Sequence, residues 1–422
     1  MNAHRLPTGT SATIPTCTRI SALGTTSSCA PKSSSPMRWR VWLALAAAAG
    51  LANVASAAER FCENDIVLID THFEAGAFHR CDVRDGNFVI TIRPEDSKVQ
   101  VPMPWYAFRA TPKRPGDAVV LLGFVGAEAD RFWPKVSRDG VTWYRLPDQA
   151  VAVSSDNKRL ALRIALTEAP VLIASQQIVT TSYYDAASRR LADRPDVAVR
   201  LLGRSIHGRP IVVAATGDKP QAVLLLGRQH PPEVTGALTM HAFVTALLDD
   251  SELAGRFRES FQIITVPLLN PDGVAAGHWR HNAGKTDLNR DWGPFTQPET
   301  RAVRTLLAGL EDRGVALRLM LDFHATQLTE THLFYTQRPQ DGDGRAHAFA
   351  AGWLDRVRQR LPDLRFDHRP SKSASANAKN YFFDRYGIPS ITYETGDETH
   401  PDWIETAAPV FAEAMMRELL DP

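Results

Sequence analysis

An antiparallel β-sandwich followed by an α/β domain is the architecture this sequence predicts, on two observations. Between residues 59 and 174 the apolar runs are short and strand-like, separated by turn residues such as Asp85-Gly86 and Asp139-Gly140, with no long helical window. After Tyr183 short apolar runs alternate with stretches of helical period. The 422 residues accommodate both parts and an N-terminal extension.

The sandwich strands are read at Asp65–Ile69, Asn87–Ile92, Ala118–Leu122 and Leu160–Leu166. No catalytic constellation falls among them. In the second part, Ala222–Leu226 is a buried strand, and Ala237, Met240, Val244, Leu247 and Leu248 recur at the spacing of one helix face. A strand over Phe261–Leu268, a helix over Pro298–Leu310 and a strand over Leu317–Phe323 follow. A helix over Ala346–Arg360, a strand over Pro389–Tyr393 and a last helix over Ala407–Leu420 complete the pattern. The expected division is a disordered prefix (1–36), a signal segment (37–57), the sandwich (58–175) and the α/β domain (176–422).

The N-terminal assignment rests on chemistry. Residues 1–36 are rich in Ser, Thr and Pro without apolar periodicity. Met37-Arg38-Trp39-Arg40, the apolar run from Val41 to Ala52 and Ala55-Ser56-Ala57 then supply the basic start, short core and small-x-small site of a secretory signal. The core is shorter than the roughly 20 residues a spanning helix needs. Translation is therefore expected to start at Met37, and the mature chain to be exported, periplasmic or secreted, with no membrane span. Of four cysteines only Cys62 and Cys81 survive removal of this segment, and an oxidising compartment favours their pairing. A net charge of +1 gives no footprint for nucleic acid. A composition 44% hydrophobic and 23% charged excludes disordered and collagen-like classes. Oligomeric state is not written in the residues.

Four motifs carry chemistry. Gln229-His230-Pro231-Pro232-Glu233 lies between a strand and a helix, and an imidazole and a carboxylate three positions apart can bind one zinc ion. Asp322-Phe323-His324 ends another strand, where His324 can complete a three-ligand site; His332 is the next candidate for that ligand. Asn270-Pro271-Asp272-Gly273, His278-Trp279-Arg280 and Asp287-Leu288-Asn289-Arg290 supply two arginines and an asparagine, suited to a substrate carboxylate and an oxyanion. Thr392-Tyr393-Glu394-Thr395 places a carboxylate at a strand exit, where it can act as general base and then acid. Each piece alone has a plain structural alternative, such as a surface pair or a solvated arginine.

In this order and spacing the motifs resemble the zinc carboxypeptidase family, over roughly residues 183–420. The resemblance implies a mixed, mostly parallel sheet flanked by helices, a peptide substrate and one Zn²⁺ per chain. His230, Glu233 and His324 match the metal ligands, Arg280 the oxyanion arginine, and Asn289 and Arg290 the clamp for the substrate's terminal carboxylate. Glu394 matches the catalytic glutamate, and Asp287 the residue that orients a ligand histidine. Gly203–Pro210 is similar to another segment of the family. Met103–Arg109 and Ser137–Trp143 resemble the N-terminal domain of the cytosolic-carboxypeptidase branch, which makes this chain an exported relative of it. Two departures stand out. Residues 369–379 contain no tyrosine for the family's mobile substrate-binding position, leaving Tyr381 nearest, and Pro232 replaces an arginine of the digestive members. In the cytosolic branch a basic residue upstream of the glutamate selects acidic C-terminal residues. Counting back from Gly387, Lys379 falls near it, and is either that cation or a solvated lysine on a loop. The competing functions are a zinc-dependent deacylase of N-acyl amino acids and a non-catalytic periplasmic peptide-binding protein.

Overall fold

Residues 60–327 and 331–421 are described by a computed structural model. The expected prefix and signal segment lie outside the described residues. Eleven strands occupy the first part: β1 (Phe61–Glu63), β2 (Val67–Asp70), β3 (Arg80–Arg84), β4 (Asn87–Ile92), β5 (Ala107–Pro112), β6 (Gly116–Phe124), β7 (Lys135–Ser137), β8 (Tyr144–Arg145), β9 (Val151–Val153), β10 (Arg159–Leu166) and β11 (Val171–Ala174). They build two facing sheets, ordered β1-β2-β5-β11-β7-β8 and β3-β4-β6-β10-β9. Period-2 burial explains the pairing. Ala118, Val120, Leu122 and Phe124 of β6 and Leu160, Leu162, Ile164 and Leu166 of β10 all point inward. The one parallel pair, β4–β6, departs from a purely antiparallel sandwich. It arises because β5 crosses to the other sheet, so the chain re-enters the second sheet in its former direction. A disulfide from Cys62 to Cys81, with Cα atoms 5.8 Å apart, staples β1 of one sheet to β3 of the other.

The second part opens with helix α1 (Thr181–Ala192) and is organised by eight strands: β12 (Val197–Arg204), β13 (Pro210–Thr216), β14 (Gln221–Gly227), β15 (Gln262–Val266), β16 (Ala316–Thr326), β17 (His332–Thr336), β18 (Phe366–Pro370) and β19 (Ser390–Gly396). Their order is β12-β13-β15-β14-β16-β19-β17-β18. The central pairs β15–β14, β14–β16 and β16–β19 are parallel, the pairs β12–β13, β13–β15 and β19–β17 are antiparallel, and the edge pair β17–β18 is parallel again. Helices α2 (Val234–Leu247), α3 (Glu252–Ser260), the short α4 (Pro271–Ala276), α5 (Pro298–Asp312), α6 (Arg345–Arg360), α7 (Ala378–Tyr386) and α8 (Pro401–Leu420) cover the sheet. Alternation along the strands divides the faces. Val223, Leu225, Leu319, Leu321 and Tyr393 pack against α2, α6 and α8, whereas Leu224, Leu226 and Met320 pack against α5 and α7.

The last helix begins six residues earlier than its apolar pattern suggests. His400 caps it by accepting the Asp402 amide, and Pro401 occupies the first turn, where its missing N–H costs nothing. In the second part, strands β12, β13, β17 and β18 and helices α1, α3, α4 and α7 add to the predicted elements. The two parts share a hydrophobic core. Trp279, Val274, Leu268, Val234 and Tyr184 of the second part are buried in one cluster with Trp105, Phe108 and Ile173 of the sandwich.

Candidate active site

The chain visits β15 on one side of β14 before it crosses to β16 on the other, so the strand order reverses beside β14. A crevice opens there at the carboxyl ends of the strands, the usual ligand position in an open α/β sheet. Three neighbouring strands deliver side chains into it. The loop after β14 carries His230 and Glu233, β16 carries His324, and β19 carries Glu394 in register with His324.

The β14 loop is held under strain. Arg228 adopts a left-handed backbone (φ 52°), unfavourable for a side chain with a Cβ. Its buried guanidinium fixes this by donating to the Pro231 carbonyl (2.8 Å), the Tyr184 hydroxyl (3.1 Å) and the Val179 carbonyl (3.4 Å). Helix α2 then follows, with Glu233 at its N-cap, and packs so closely on β16 that a Cβ at Gly236 would meet the His324 carbonyl oxygen at 2.3 Å. Glycine is required for that approach.

The three expected ligands converge. His230 Nδ1 lies 2.8 Å from Glu233 Oε1, and His324 Nδ1 lies 2.7 Å from Glu233 Oε2, all three residues being buried. One donor atom from each falls within 4.8 Å of the others. The outer nitrogens are held by carboxylates: His230 Nε2 is 2.9 Å from Asp287 Oδ1, and His324 Nε2 is 2.7 Å from Asp322 Oδ2. Two imidazoles oriented from behind, with Nδ1 atoms facing a shared carboxylate, fit a zinc ion with His, Glu and His ligands. Burial alone would raise the Glu233 carboxyl, but His230 and His324 hold it well below the usual carboxylate range. The carboxylate is thus anionic, as a metal ligand must be.

Asp322 is the orienting residue that the motifs did not assign. Residues two apart on a strand share a face, so the signal was present in Asp322-Phe323-His324. Gln229 donates to both Asp322 oxygens (2.8 Å each), and Trp292 Nε1 donates to Gln229 Oε1 (3.0 Å). His332, by contrast, is not a ligand. It is buried in the core beside Phe411 and Tyr393, and burial pushes its imidazole down to about 4.

Asp287 connects the metal side to the cationic side of the crevice, since its Oδ2 accepts Arg280 Nε at 2.7 Å. Asn289 is partly committed within the protein: Oδ1 accepts the Ala378 amide (2.9 Å), and Nδ2 is 3.2 Å from His324 Nε2. Arg290 donates to the Asn289 carbonyl (2.7 Å), lines the cleft, and makes no ion pair among the described residues. Glu394 also lines the cleft. Burial pushes its carboxyl up to about 7, with His324 opposing and Glu233 adding to the rise. It can therefore exchange a proton near neutrality.

Lys379 is no solvated loop lysine. It sits in the first turn of α7, buried, its ammonium donating to the carbonyls of Ser371 and Thr336 while lining the cleft. Burial pushes it down to about 8. Tyr381 faces elsewhere, packed on Phe295 and Trp292 with ring centroids 5.1 and 6.1 Å away. The tyrosine in the cleft is Tyr335, on β17 opposite Thr392 of β19. No motif spacing pointed to it, because an antiparallel strand brings it back to the crevice.

The sandwich supplies one wall of this cleft of about 590 Å³, through Val101, Met103 and Arg131. Together with Gln176 from the connection to α1, it also grips the segment that follows Glu394. Arg131 Nε donates to Asp397 Oδ2 (3.4 Å), Lys135 donates to both Glu398 oxygens (2.8 and 2.9 Å), and Gln176 Nε2 donates to the Asp397 carbonyl (2.6 Å). Five cationic side chains, Arg131, Arg280, Arg290, Arg369 and Lys379, line the cleft against two carboxylates, Glu233 and Glu394.

Comparison with known proteins bears on the family and the fold. Residues 183–408 match the model of the family described as zinc carboxypeptidase. A metallo-carboxypeptidase from Burkholderia cenocepacia superposes with a TM-score of 0.70 at 20% identity, covering 84% of this chain and 98% of that one. An uncharacterised protein of Zymomonas mobilis is 23% identical over 79% of this chain and 89% of its own length. Human cytosolic carboxypeptidase 6 is 22% identical over 61% of this chain, and the match spans 57% of that protein.

Proposed function

Because the chain belongs to the zinc carboxypeptidase family, a family of zinc-dependent peptidases, we propose that it hydrolyses the C-terminal amide bond of peptides and prefers those ending in an acidic residue. The observation that carries this is the convergence of His230, Glu233 and His324 beside Glu394 in a cleft lined by five cations. When bound, zinc acts as a Lewis acid toward the scissile carbonyl and activates water for attack. The chain's own residues do the rest. Glu394 accepts the proton of the attacking water at its carboxylate and returns it to the leaving amine. Arg280, its Nε anchored on Asp287, presents its remaining N–H groups to the developing oxyanion. Arg290 holds the terminal carboxylate of the peptide in a planar, charge-assisted pair, with Asn289 fixing the backbone beside it.

Lys379 reads the side chain of the last residue. Its ammonium is charged below about 8 and neutral above, so a preference for Glu over Leu is present at pH 7 and lost as pH rises through 8. A charge-assisted contact worth about 1.5–3 kcal/mol sets that preference at roughly 10- to 100-fold. Turnover of matched peptides ending in Glu, Leu and Lys, measured from pH 6.5 to 9.5, tests it. No Glu preference at pH 7, or the same preference in Lys379→Ala, contradicts the assignment.

We propose also that the chain is exported. The Cys62–Cys81 pair and the basic, apolar and small residues of 37–57 support this. N-terminal sequencing of the mature protein is expected to begin after Ala57; a mature chain starting upstream of Met37 contradicts it.

A further inference from the structure

The segment carrying Arg280 is built into the sandwich. Ala75 donates its amide to the Ala275 carbonyl (2.9 Å), and Trp279 Nε1 donates to the Trp105 carbonyl (3.1 Å). Between them Gly277 turns through a left-handed conformation (φ 66°), where a Cβ would meet Ala77 Cβ at 2.7 Å and the Ala75 carbonyl oxygen at 2.9 Å. At the end of this stretch three consecutive amides converge on one carboxylate. Glu95, in the connection between β4 and β5, accepts Trp279 N at Oε2 (2.8 Å) and both Arg280 N (3.1 Å) and His281 N (2.6 Å) at Oε1.

Convergent backbone amides form an anion-binding nest, here filled by a side chain from the other part of the molecule. Asp96 adds a second tie, its Oδ2 lying 2.9 Å from His281 Nδ1. Glu95, Asp96 and His281 also bring donor atoms within 4.8 Å of one another. Their oxygens are already committed, however, since Asp96 Oδ1 accepts the Lys98 amide at 2.7 Å. The cluster is a clamp, not a cation site.

We propose that Glu95 is a positioning residue for Arg280. The nest fixes the backbone at residue 280 while Asp287 fixes its side chain at Nε. The guanidinium is thereby aimed from both ends, and the sandwich becomes a working part of the active site. This rests on the reading of Arg280 as the oxyanion group. A misplacement of about 1 Å at such a group costs on the order of 100-fold in rate, so the effect belongs in kcat and leaves KM and metal content alone.

The test is a double-mutant cycle on the full, zinc-loaded chain with a peptide ending in Glu: wild type, Glu95→Gln, Arg280→Ala and the double variant, each with zinc content and melting temperature. Glu95→Gln is expected to lower kcat by about 10- to 100-fold with KM within a few-fold and one zinc per chain retained. On the Arg280→Ala background the same change is expected to cost less than about twofold, because the group it positions is gone. A purely structural role predicts equal losses on both backgrounds, and that result overturns the proposal, as does wild-type turnover in Glu95→Gln. Should Glu95→Gln fail to fold, Glu95→Asp, which keeps a shortened acceptor, goes through the same cycle with the same two outcomes. A wild type without peptidase turnover, or an Arg280→Ala variant as active as wild type, refutes the functional reading itself and this proposal with it. An active wild type with independent, multiplying losses refutes the Glu95 assignment alone.

Discussion

Glu394→Gln leaves a folded protein with its zinc in place and a kcat lower by about 10²- to 10⁴-fold, the usual contribution of a positioned general base. The substitution is isosteric and removes one function. A carboxamide cannot take a proton from water, whereas the proposed ligands His230, Glu233 and His324 and the carboxylates behind them are untouched. The Glu394 carboxyl is raised to about 7 chiefly by burial, so replacement by a neutral group relieves a desolvation cost and stability is expected to hold or rise. KM should change little, because Arg290 and Lys379, the groups proposed to grip the substrate, are untouched. Steady-state kinetics with parallel metal analysis checks this, and a Gln variant with wild-type kcat contradicts the role of Glu394.

The second large effect is the loss of metal itself. His324→Ala deletes one of the three proposed ligands and leaves Glu233 and Asp322 without the imidazole between them. Two buried carboxylates then lack a shared partner, which favours neither the site nor its ion. Zinc content after dialysis is expected to fall from one per chain toward zero, with activity at background. A chelator should do the same to the unmodified protein, and added Zn²⁺ should restore it. His332→Ala is the matched control. It lies on the next strand but inside the aromatic core, so it costs stability and keeps the zinc. Full zinc in His324→Ala, or activity that survives exhaustive metal removal, contradicts the metal site.

How far the sequence foretold this structure depends on the range of each signal. The central strands and helices α2, α5, α6 and α8 were legible, because burial on one or both faces writes a local period into a dozen residues. His230, Glu233, His324 and Glu394 were legible for a related reason. They sit at the ends of apolar strands, where a titratable side chain is out of pattern. Asp322 was half legible: it was seen in the motif, but its bond to His324 follows only once the strand is known to be regular there. Glu95, Arg131 and Tyr335 could not be found this way. Glu95 reaches the Arg280 segment across 185 positions of sequence, Arg131 reaches Asp397 across 266, and neither belongs to a run with any period. Lys379 needed the structure for a different reason, since a lysine in polar sequence reads as solvated until the first turn of α7 is seen to bury it.

The most direct measurement is mass-spectrometric identification of what the purified, zinc-loaded chain releases from a mixture of peptides and N-acyl amino acids. Peptides shortened one residue at a time from the C-terminus, with those ending in Glu or Asp consumed first and free amino acids accumulating, are the predicted result. Deacylated amino acids beside intact peptides, or no product from a protein with its zinc site filled, would contradict it.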